Sequence, residues 1–172
     1  LTDSIDSKDW TDSSSSDTGS GKINNGREFD GSSSSIYLNG VKKLAIQSDA
    51  QPFSVNMWIY PDVLGSGILY DEHASSDGGF AIRQFSTNKI NVWYSYDTID
   101  SSRTGSIILN TAGWQMVTVT YNGTTLKSYI NGTEDINSNL DIDTQNTNDI
   151  RFGRWSHDPS SYYNGKADEL SV

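Results

Sequence analysis

The sequence of 172 residues contains no cysteine. Disulfide bonds, zinc-thiolate sites and cysteine nucleophiles are therefore excluded. An extracellular domain without disulfides needs a large core or a bound metal ion, and such domains are more usual in bacteria, archaea and their viruses than in animals. If this chain is secreted or lies on a cell surface, we therefore expect it to come from such a source.

Basic residues, long apolar runs and helical periodicity are also scarce. The 12 basic residues are outnumbered by 22 acidic ones, which gives a net charge of -10. This charge repels phosphate backbones and anionic membrane surfaces, so we expect no nucleic acid partner. No stretch is long and apolar enough to cross a bilayer, so we expect no membrane insertion. The acidity suits calcium, whose ligands are oxygen atoms, and it equally suits simple solubility.

Aromatic residues and turn residues are plentiful instead. Only 34% of the residues are hydrophobic, but five Trp, nine Tyr and five Phe bury large areas per residue. Ser, Asn, Asp, Thr and Gly supply most of the polar positions, and these residues favour turns and strand faces. This composition predicts one all-β domain, a sandwich of two antiparallel sheets. We expect the isolated domain to be monomeric.

The best-defined local structure is a hairpin at residues 113–132. Val117, Val119 and Tyr121 form the apolar side of its first strand, and we place Gln115 with the polar threonines. Asn-Gly pairs at 122–123 and 131–132 tolerate positive φ and predict two tight turns. Further strands are predicted at 52–62, 67–72, 79–84, 89–96, 148–154 and 164–172, with polar loops at 98–105 and 137–146.

The domain boundaries follow from composition. Residues 1–25 are rich in Ser, Asp and Gly, which predicts a partly ordered N-terminal arm with a loose tip at 12–21. Residues 26–172 form the predicted domain, which we expect to be a part of a longer protein.

Two strands carry aromatic residues on their polar sides, and these residues either form a binding face or lie under loops. They are Trp58, Tyr60 and Trp93.

Two loops contain the residues best suited to bind a ligand. The segment 154–165 is too polar for a core, yet it contains aromatic residues beside polar groups, the usual combination for sugar binding. Its candidates are Trp155, His157, Asp158 and Tyr162. The alternative is that Trp155 folds over a sheet edge. The second loop, 71–80, contains Asp71, His73 and Asp77, which predict either a second, exposed calcium site or a solvated loop.

The carboxylates offer little for hydrolysis. A glycoside hydrolase needs two carboxyl groups that point into one cleft. Adjacent residues of a strand point to opposite faces, which excludes the pairs 71–72, 134–135 and 168–169. Asp141 and Asp143 share a face only if their polar segment is extended.

Five motifs in order resemble one known family. They are Phe29-Asp30-Gly31, PFSVNMWIYPD at 52–62, the hairpin at 113–132, IRFGR at 150–154 and YYNGKADELSV at 162–172. Together they resemble the LamG-like (laminin G type) domains of the concanavalin A-like lectin and glucanase fold. The resemblance extends over residues 20–172 and is specific for the fold but not for a ligand.

The resemblance implies a jelly-roll sandwich, usually with one calcium ion that ties the N-terminal region to the C-terminal strand. The matching positions are Asp30, Gly31 and Asp168, while a turn cap at Asp30 and a surface ion pair at Asp168 are the alternatives. The leading hypothesis is a non-catalytic, extracellular carbohydrate-binding or adhesion module. A structural spacer or protein-interaction domain is the alternative, and a polysaccharide hydrolase or lyase is third.

Overall fold

The computed structural model of the chain describes residues 11–14, 17–38, 52–65, 67–72, 79–96, 99–140, 150–155 and 160–172. The described residues form fourteen strands. These are β1 (Thr11–Ser14), β2 (Asp17–Ser20), β3 (Asn25–Asp30), β4 (Ser35–Leu38), β5 (Phe53–Pro61), β6 (Gly67–Asp71), β7 (Gly79–Gln84), β8 (Lys89–Tyr96), β9 (Ile99–Ile108), β10 (Gln115–Tyr121), β11 (Thr125–Ile130), β12 (Thr133–Asn139), β13 (Ile150–Phe152) and β14 (Asn164–Ser171).

The strands form two seven-stranded antiparallel sheets. Sheet A has the order β1-β4-β13-β6-β7-β8-β9, and sheet B has the order β12-β11-β10-β5-β14-β3-β2. This arrangement is a jelly-roll sandwich of the concanavalin A-like type, as the sequence predicted. Among the described residues, no helix has the length and hydropathy to span a bilayer.

The predicted hairpin is confirmed as β10 and β11, which pair from Val117↔Ile130 to Tyr121↔Leu126. Its second turn has positive φ at Asn131 (52°). The placement of Gln115 on the polar side was wrong, because this residue is buried with the apolar side of β10. Its amide donates to the Asn110 carbonyl at 2.8 Å, and this bond satisfies a polar group inside the sandwich.

The core lies between the two sheets and follows the alternation of the strands. On β5, Val55, Met57 and Ile59 are fully buried, as the period-two pattern predicted. Phe29 anchors one end of the core, with its ring centroid 5.0 Å from that of Phe152. Gly153, at φ 89°, leaves room for this ring, since an added Cβ would lie 2.7 Å from it.

Parts of three segments predicted as loops or a loose tip are extended. Parts of the predicted loose tip form β1, which pairs with β4, and β2, which pairs with β3. Residues 99–105 of the predicted loop at 98–105 belong to β9, and β12 extends into the predicted loop at 137–146 as far as Asn139. β9, β12, β1 and β2 are the outermost strands of their sheets. An outer strand has one unpaired edge in water, so it tolerates polar residues that composition assigns to loops.

Candidate functional site

The register of sheet A places side chains of distant segments in one row. Arg151 on β13 is opposite Asp71 on β6, Asp71 is opposite Ala81 on β7, and Ala81 is opposite Trp93 on β8. Directly opposed residues point to the same side of a sheet. The alternating residues Phe80, Ile82 and Val92 are buried in the core. The row therefore lies on the outer side of sheet A, which we call the outer face.

A second row lies two residues further along the strands. Ile68 on β6 is opposite Arg83 on β7, Arg83 is opposite Asn91 on β8, and Asn91 is opposite Thr104 on β9. The Arg83 Nε donates to Asn91 Oδ1 at 2.7 Å, and the Asn91 Nδ2 donates to Thr104 Oγ1 at 2.8 Å. These bonds fix the arginine on the sheet.

Two tryptophans meet on the outer face. The ring centroids of Trp93 and Trp155 are 5.5 Å apart, and the ring planes are inclined by 58°. Both side chains are half-buried. Trp155 follows β13, where Gly153 has left-handed φ and Arg154 forms an isolated bridge with Tyr162. This local turn brings Trp155 from the end of one strand to the ring on another.

Arg83 adds a cation beside the tryptophans. Its Cζ lies 5.4 Å from the ring centroid of Trp155 and 4.9 Å from that of Phe85. Phe85 is 37% exposed just beyond β7. Burial lowers the pKa of Arg83 from its usual value, because a guanidinium loses solvation there. Further along the face, the Arg151 Cζ lies 5.5 Å from the ring centroid of Tyr37. The outer face thus combines flat aromatic rings with fixed polar donors.

The structure brings together part of the predicted sugar-binding set. Trp155 and Trp93 are in contact, and the backbone of Tyr162 pairs beside Trp155. His157 and Asp158 lie outside the described residues, as do His73 and Asp77 of the second predicted loop. Asp71 is described, and it is a fully buried residue at the end of β6 in the first row.

Sequence reasoning missed Arg83, Asn91, Arg151 and the position of Asp71. The alternation of β8 carried part of the signal, because it put Asn91 and Trp93 on one side. The alternation of β7 likewise puts Arg83 on the side away from the core. Its position opposite Asn91, however, depends on how β7 pairs with β8, which the sequence does not show. β13 pairs with β6 although the two strands are far apart in the sequence. The position of Arg151 opposite Asp71 therefore follows from the order of strands in the sheet and not from the sequence alone.

Asp30 holds the turn that follows β3. Its Oδ1 accepts backbone N–H bonds from Ser32, Ser33 and Ser34 at 2.8, 2.8 and 3.0 Å. Its Oδ2 accepts the hydroxyls of Ser32 and Ser33 at 3.0 and 2.7 Å. These bonds, led by that of the Ser33 amide, hold the pKa of Asp30 far below its usual value. Gly31 supplies the left-handed residue of the turn, with φ 73°.

Asp168 is a buried link between the N-terminal turn and β14. It is 1% exposed, its Oδ2 accepts the Ile23 N–H at 2.8 Å and its Oδ1 accepts the Glu169 N–H at 2.9 Å. β14 pairs with β3 through Asn164↔Asp30 and Ala167↔Arg27, so Asp168 lies four residues along the strands from Asp30. That offset is about 13 Å, far more than the ~2.5 Å reach of a calcium–oxygen bond.

The predicted ligand set of Asp30, Gly31 and Asp168 therefore does not fit one calcium ion. Backbone amides occupy the carboxylates instead, which connects the two chain regions directly. Within the described ranges, no group of three or more His, Cys, Asp or Glu side chains could hold a metal ion. The predicted second site stays a prediction, since Asp77 lies outside those ranges.

The adjacent carboxylates have separate partners. Glu72 Oε2 accepts the buried Tyr70 hydroxyl at 2.9 Å, while Asp71 lies on the outer face. Glu134 pairs with the Lys127 Nζ at 2.8 Å, while Asp135 accepts the Ser106 N–H at 2.7 Å. These geometries agree with the exclusion of these pairs as an acid and a nucleophile. Asp141 and Asp143 lie outside the described residues.

The aromatic residues on the outer side of sheet B are partly covered. The Lys22 Nζ lies 4.9 Å from the ring centroid of Trp58. The ring of Trp114 packs edge-on against Tyr60, with centroids 5.8 Å apart. This geometry agrees better with a covered position of Trp58 and Tyr60 than with an open surface on which a sugar could stack.

The fold and the outer face define an all-β jelly-roll module with an aromatic surface on one sheet. The family model for laminin G type domains of the concanavalin A-like lectin/glucanases superfamily matches residues 30–172. The chain therefore belongs to this family, which confirms the resemblance. A search of curated proteins returned no match to the sequence.

Three solved structures are similar in fold. Domain 4 of AbnA, a GH43 extracellular arabinanase from Geobacillus stearothermophilus in complex with arabinotriose, has a TM-score of 0.70 and 21% identity, over 98% of this chain and 78% of that chain. Domains LG4-5 of the mouse laminin α1 chain have a TM-score of 0.64 and 14% identity, over 90% and 42%. The binding domain of botulinum neurotoxin DC, in complex with rat synaptotagmin II, has a TM-score of 0.69 and 16% identity, over 94% and 42%. These identities establish the fold alone.

Proposed function

We propose that this chain is a non-catalytic, extracellular carbohydrate-binding module and that the outer face of sheet A is its site. The observation that carries the proposal is the contact of Trp93 with Trp155, at 5.5 Å between ring centroids. An aromatic ring can stack on the C–H face of a sugar, while neighbouring polar groups bind its hydroxyls.

The polar groups needed for hydroxyl recognition lie on the same face. Arg83 is fixed beside the tryptophans by its bond to the buried Asn91, and the exposed Ser102 is directly opposite Trp93. Fixed donors lose little conformational entropy when a ligand binds. Tyr162 pairs with Arg154 beside Trp155, while the contributions of His157 and Asp158 stay predictions because both residues lie outside the described part of the chain.

Similar proteins support the class of ligand. The arabinanase domain was solved in complex with arabinotriose, and another structure of the same fold concerns a neurotoxin that depends on two ganglioside molecules for cell entry. The partners of adjacent carboxylates support a binding role over hydrolysis. Function lives in sites rather than in folds, so the outer face is the part to test.

Binding should be measured by isothermal titration calorimetry against a panel of neutral and acidic oligosaccharides. Truncation of Trp155→Ala removes a ring whose burial by a ligand contributes about 1.5–3 kcal/mol. We expect roughly a ten- to hundredfold loss of affinity, and a similar loss for Trp93→Ala. The matched control is Trp114→Ala, which truncates a half-buried tryptophan outside the outer face.

The outcomes separate the proposed function from its alternative. Unchanged affinity in both outer-face variants would place any glycan site elsewhere. An absence of binding across the panel would favour the alternative of a spacer or protein-interaction domain.

A further inference from the structure

On the outer face, one arginine has no counter-charge among the residues that the structure describes. Arg83 uses its Nε on Asn91 and lies beside the rings of Phe85 and Trp155. Its described interactions include no ion pair with a carboxylate. The chain has 22 acidic residues to 12 basic ones, so carboxylates are abundant, yet none of those in the described part of the chain pairs with this half-buried guanidinium.

The position of Arg83 is fixed in a way that presents its free end. Asn91 is 1% exposed, holds the Nε of Arg83 and is itself held by Thr104. No other described residue bonds to the terminal nitrogens of the guanidinium, so these nitrogens can serve a ligand. A guanidinium fork matches a planar carboxylate in shape and charge and can bind it through two parallel hydrogen bonds.

The charges of the two rows also favour an anion. The rows contain two arginines, Arg83 and Arg151, and one aspartate, Asp71. The described residues of the two rows are thus less negative than a net charge of -10 would suggest. The lowered pKa of Arg83 has burial as its cause, which agrees with the lack of a carboxylate beside it among the described residues.

We propose that Arg83 binds the carboxylate of a uronic acid sugar whose ring stacks on Trp155, so that the ligand of the outer face is an acidic oligosaccharide. In a hexuronic acid the carboxylate is bonded directly to the ring. A ring stacked on Trp155 therefore carries its carboxylate toward a guanidinium carbon that lies 5.4 Å from the centroid of that tryptophan. This inference rests on the proposed function, because it names the ligand class of the same site.

The test compares each acidic oligosaccharide with its own carboxyl-reduced form. Suitable probes are oligogalacturonate, oligomannuronate and oligoglucuronate, with linkage and length unchanged by the reduction. We expect at least one acidic probe to bind about tenfold or more tightly than its reduced form, as a charge-assisted hydrogen bond would give. Affinity ratios are the readout, since salt also screens the repulsion between an acidic ligand and an acidic protein.

Two variants assign the preference to Arg83. Arg83→Gln should abolish the difference between acidic and reduced probes, while Arg83→Lys should keep only part of it, because lysine lacks the planar fork. The control Lys127→Gln removes one positive charge from an exposed residue of sheet B and should leave the preference unchanged.

Several outcomes would overturn the proposal. Equal affinity for acidic and reduced probes would leave the proposed function intact but reject the carboxylate contact. Equal loss of both affinities in Arg83→Gln would indicate that the arginine only supports Trp155. A sulfated neutral oligosaccharide that binds as tightly as the best uronate would also reject a carboxylate-specific site. Binding of none of the probes would reject this inference and count against the proposed function.

Discussion

The turn that follows β3 depends on a single carboxylate. Asp30 accepts five hydrogen bonds from three successive serines, two of them from hydroxyl groups. The FDG motif therefore has a structural explanation in this chain. Phe29 fills the core, Asp30 closes the turn and Gly31 provides its left-handed residue.

The substitution Asp30→Asn should lower the free energy of unfolding at neutral pH. We expect a loss of about 1 kcal/mol, since the turn is exposed and water replaces part of the lost interaction. The folded pKa is depressed, so the contribution of the ionised carboxylate is fully present above its unfolded pKa. It is lost as the pH falls below about 4 toward the folded pKa.

Urea unfolding of wild type and variant between neutral and acidic pH checks this prediction. The difference between the two proteins should shrink on acidification. The control is Glu28→Gln on the same strand, whose carboxylate forms, among the described residues, one long ion pair with the Lys166 Nζ at 4.0 Å. A difference that stays constant down to the most acidic pH would contradict the assigned role of the charge.

At the scale of elements, the edges of the sandwich need connections that the sheets do not provide. β9 is the last strand of sheet A and β12 the last strand of sheet B. Asp135 on β12 accepts the N–H groups of Ser106 and Ile107 on β9, both at 2.7 Å. Gly105 leaves room for this carboxylate, because a Cβ at that position would collide with it. One side chain thus joins the two sheets along an open side.

Asp135→Ala should lower the free energy of unfolding by about 1–2 kcal/mol, because two N–H groups of β9 lose their acceptor. The neighbouring Glu134→Ala is the control, since it removes an exposed ion pair with Lys127 and should have little effect. Amide hydrogen exchange should show faster exchange in β9 for Asp135→Ala only. Protection equal to that of wild type would show that the carboxylate does not connect the sheets.

The elements that sequence predicted well are those with local determinants. The hairpin of β10 and β11 follows from Asn-Gly turns and alternation, and β5 follows from alternation alone. β9 was missed because its residues are polar, and its extended form comes from pairing with β8. Gln115 was misplaced because residue type suggested a polar side, whereas strand parity and its bond to Asn110 decide its position.

The candidate site was predictable only in part, because it too depends on strand pairing as well as on local sequence. Trp155 and Trp93 were identifiable as aromatic residues in polar surroundings. Their contact depends on the order β13-β6-β7-β8, in which neighbours in space are not neighbours in the chain. The role proposed for Arg83 depends on its position opposite Asn91 and on the lack of a carboxylate partner among the described residues. No local sequence pattern encodes either property.

At the scale of the whole molecule, the N-terminal region is tied to both sheets. β1 pairs with β4 in sheet A, and β2 pairs with β3 in sheet B. The turn that follows β2 is then held by the buried carboxylate of Asp168 through the Ile23 N–H. In the family resemblance, calcium makes the connection between the N-terminal region and the C-terminal strand. In this chain the hydrogen bond from the Ile23 N–H to Asp168 connects the same two regions.

Removal of metal should therefore leave the stability of this chain unchanged, while removal of the Asp168 charge should lower it. A ligand specific to the native state raises stability, so an ion at this position would make Tm depend on free calcium. Asp168→Asn turns an amide donor toward a backbone N–H, at a cost of about 1–3 kcal/mol. For a domain of this size we expect Tm to fall by roughly 2–10 °C. Thermal unfolding in excess chelator and in added calcium checks both expectations. If Tm falls in chelator, recovers with calcium and shows no such response in Asp168→Asn, then an ion binds at Asp168 and the connection is not made by hydrogen bonds alone.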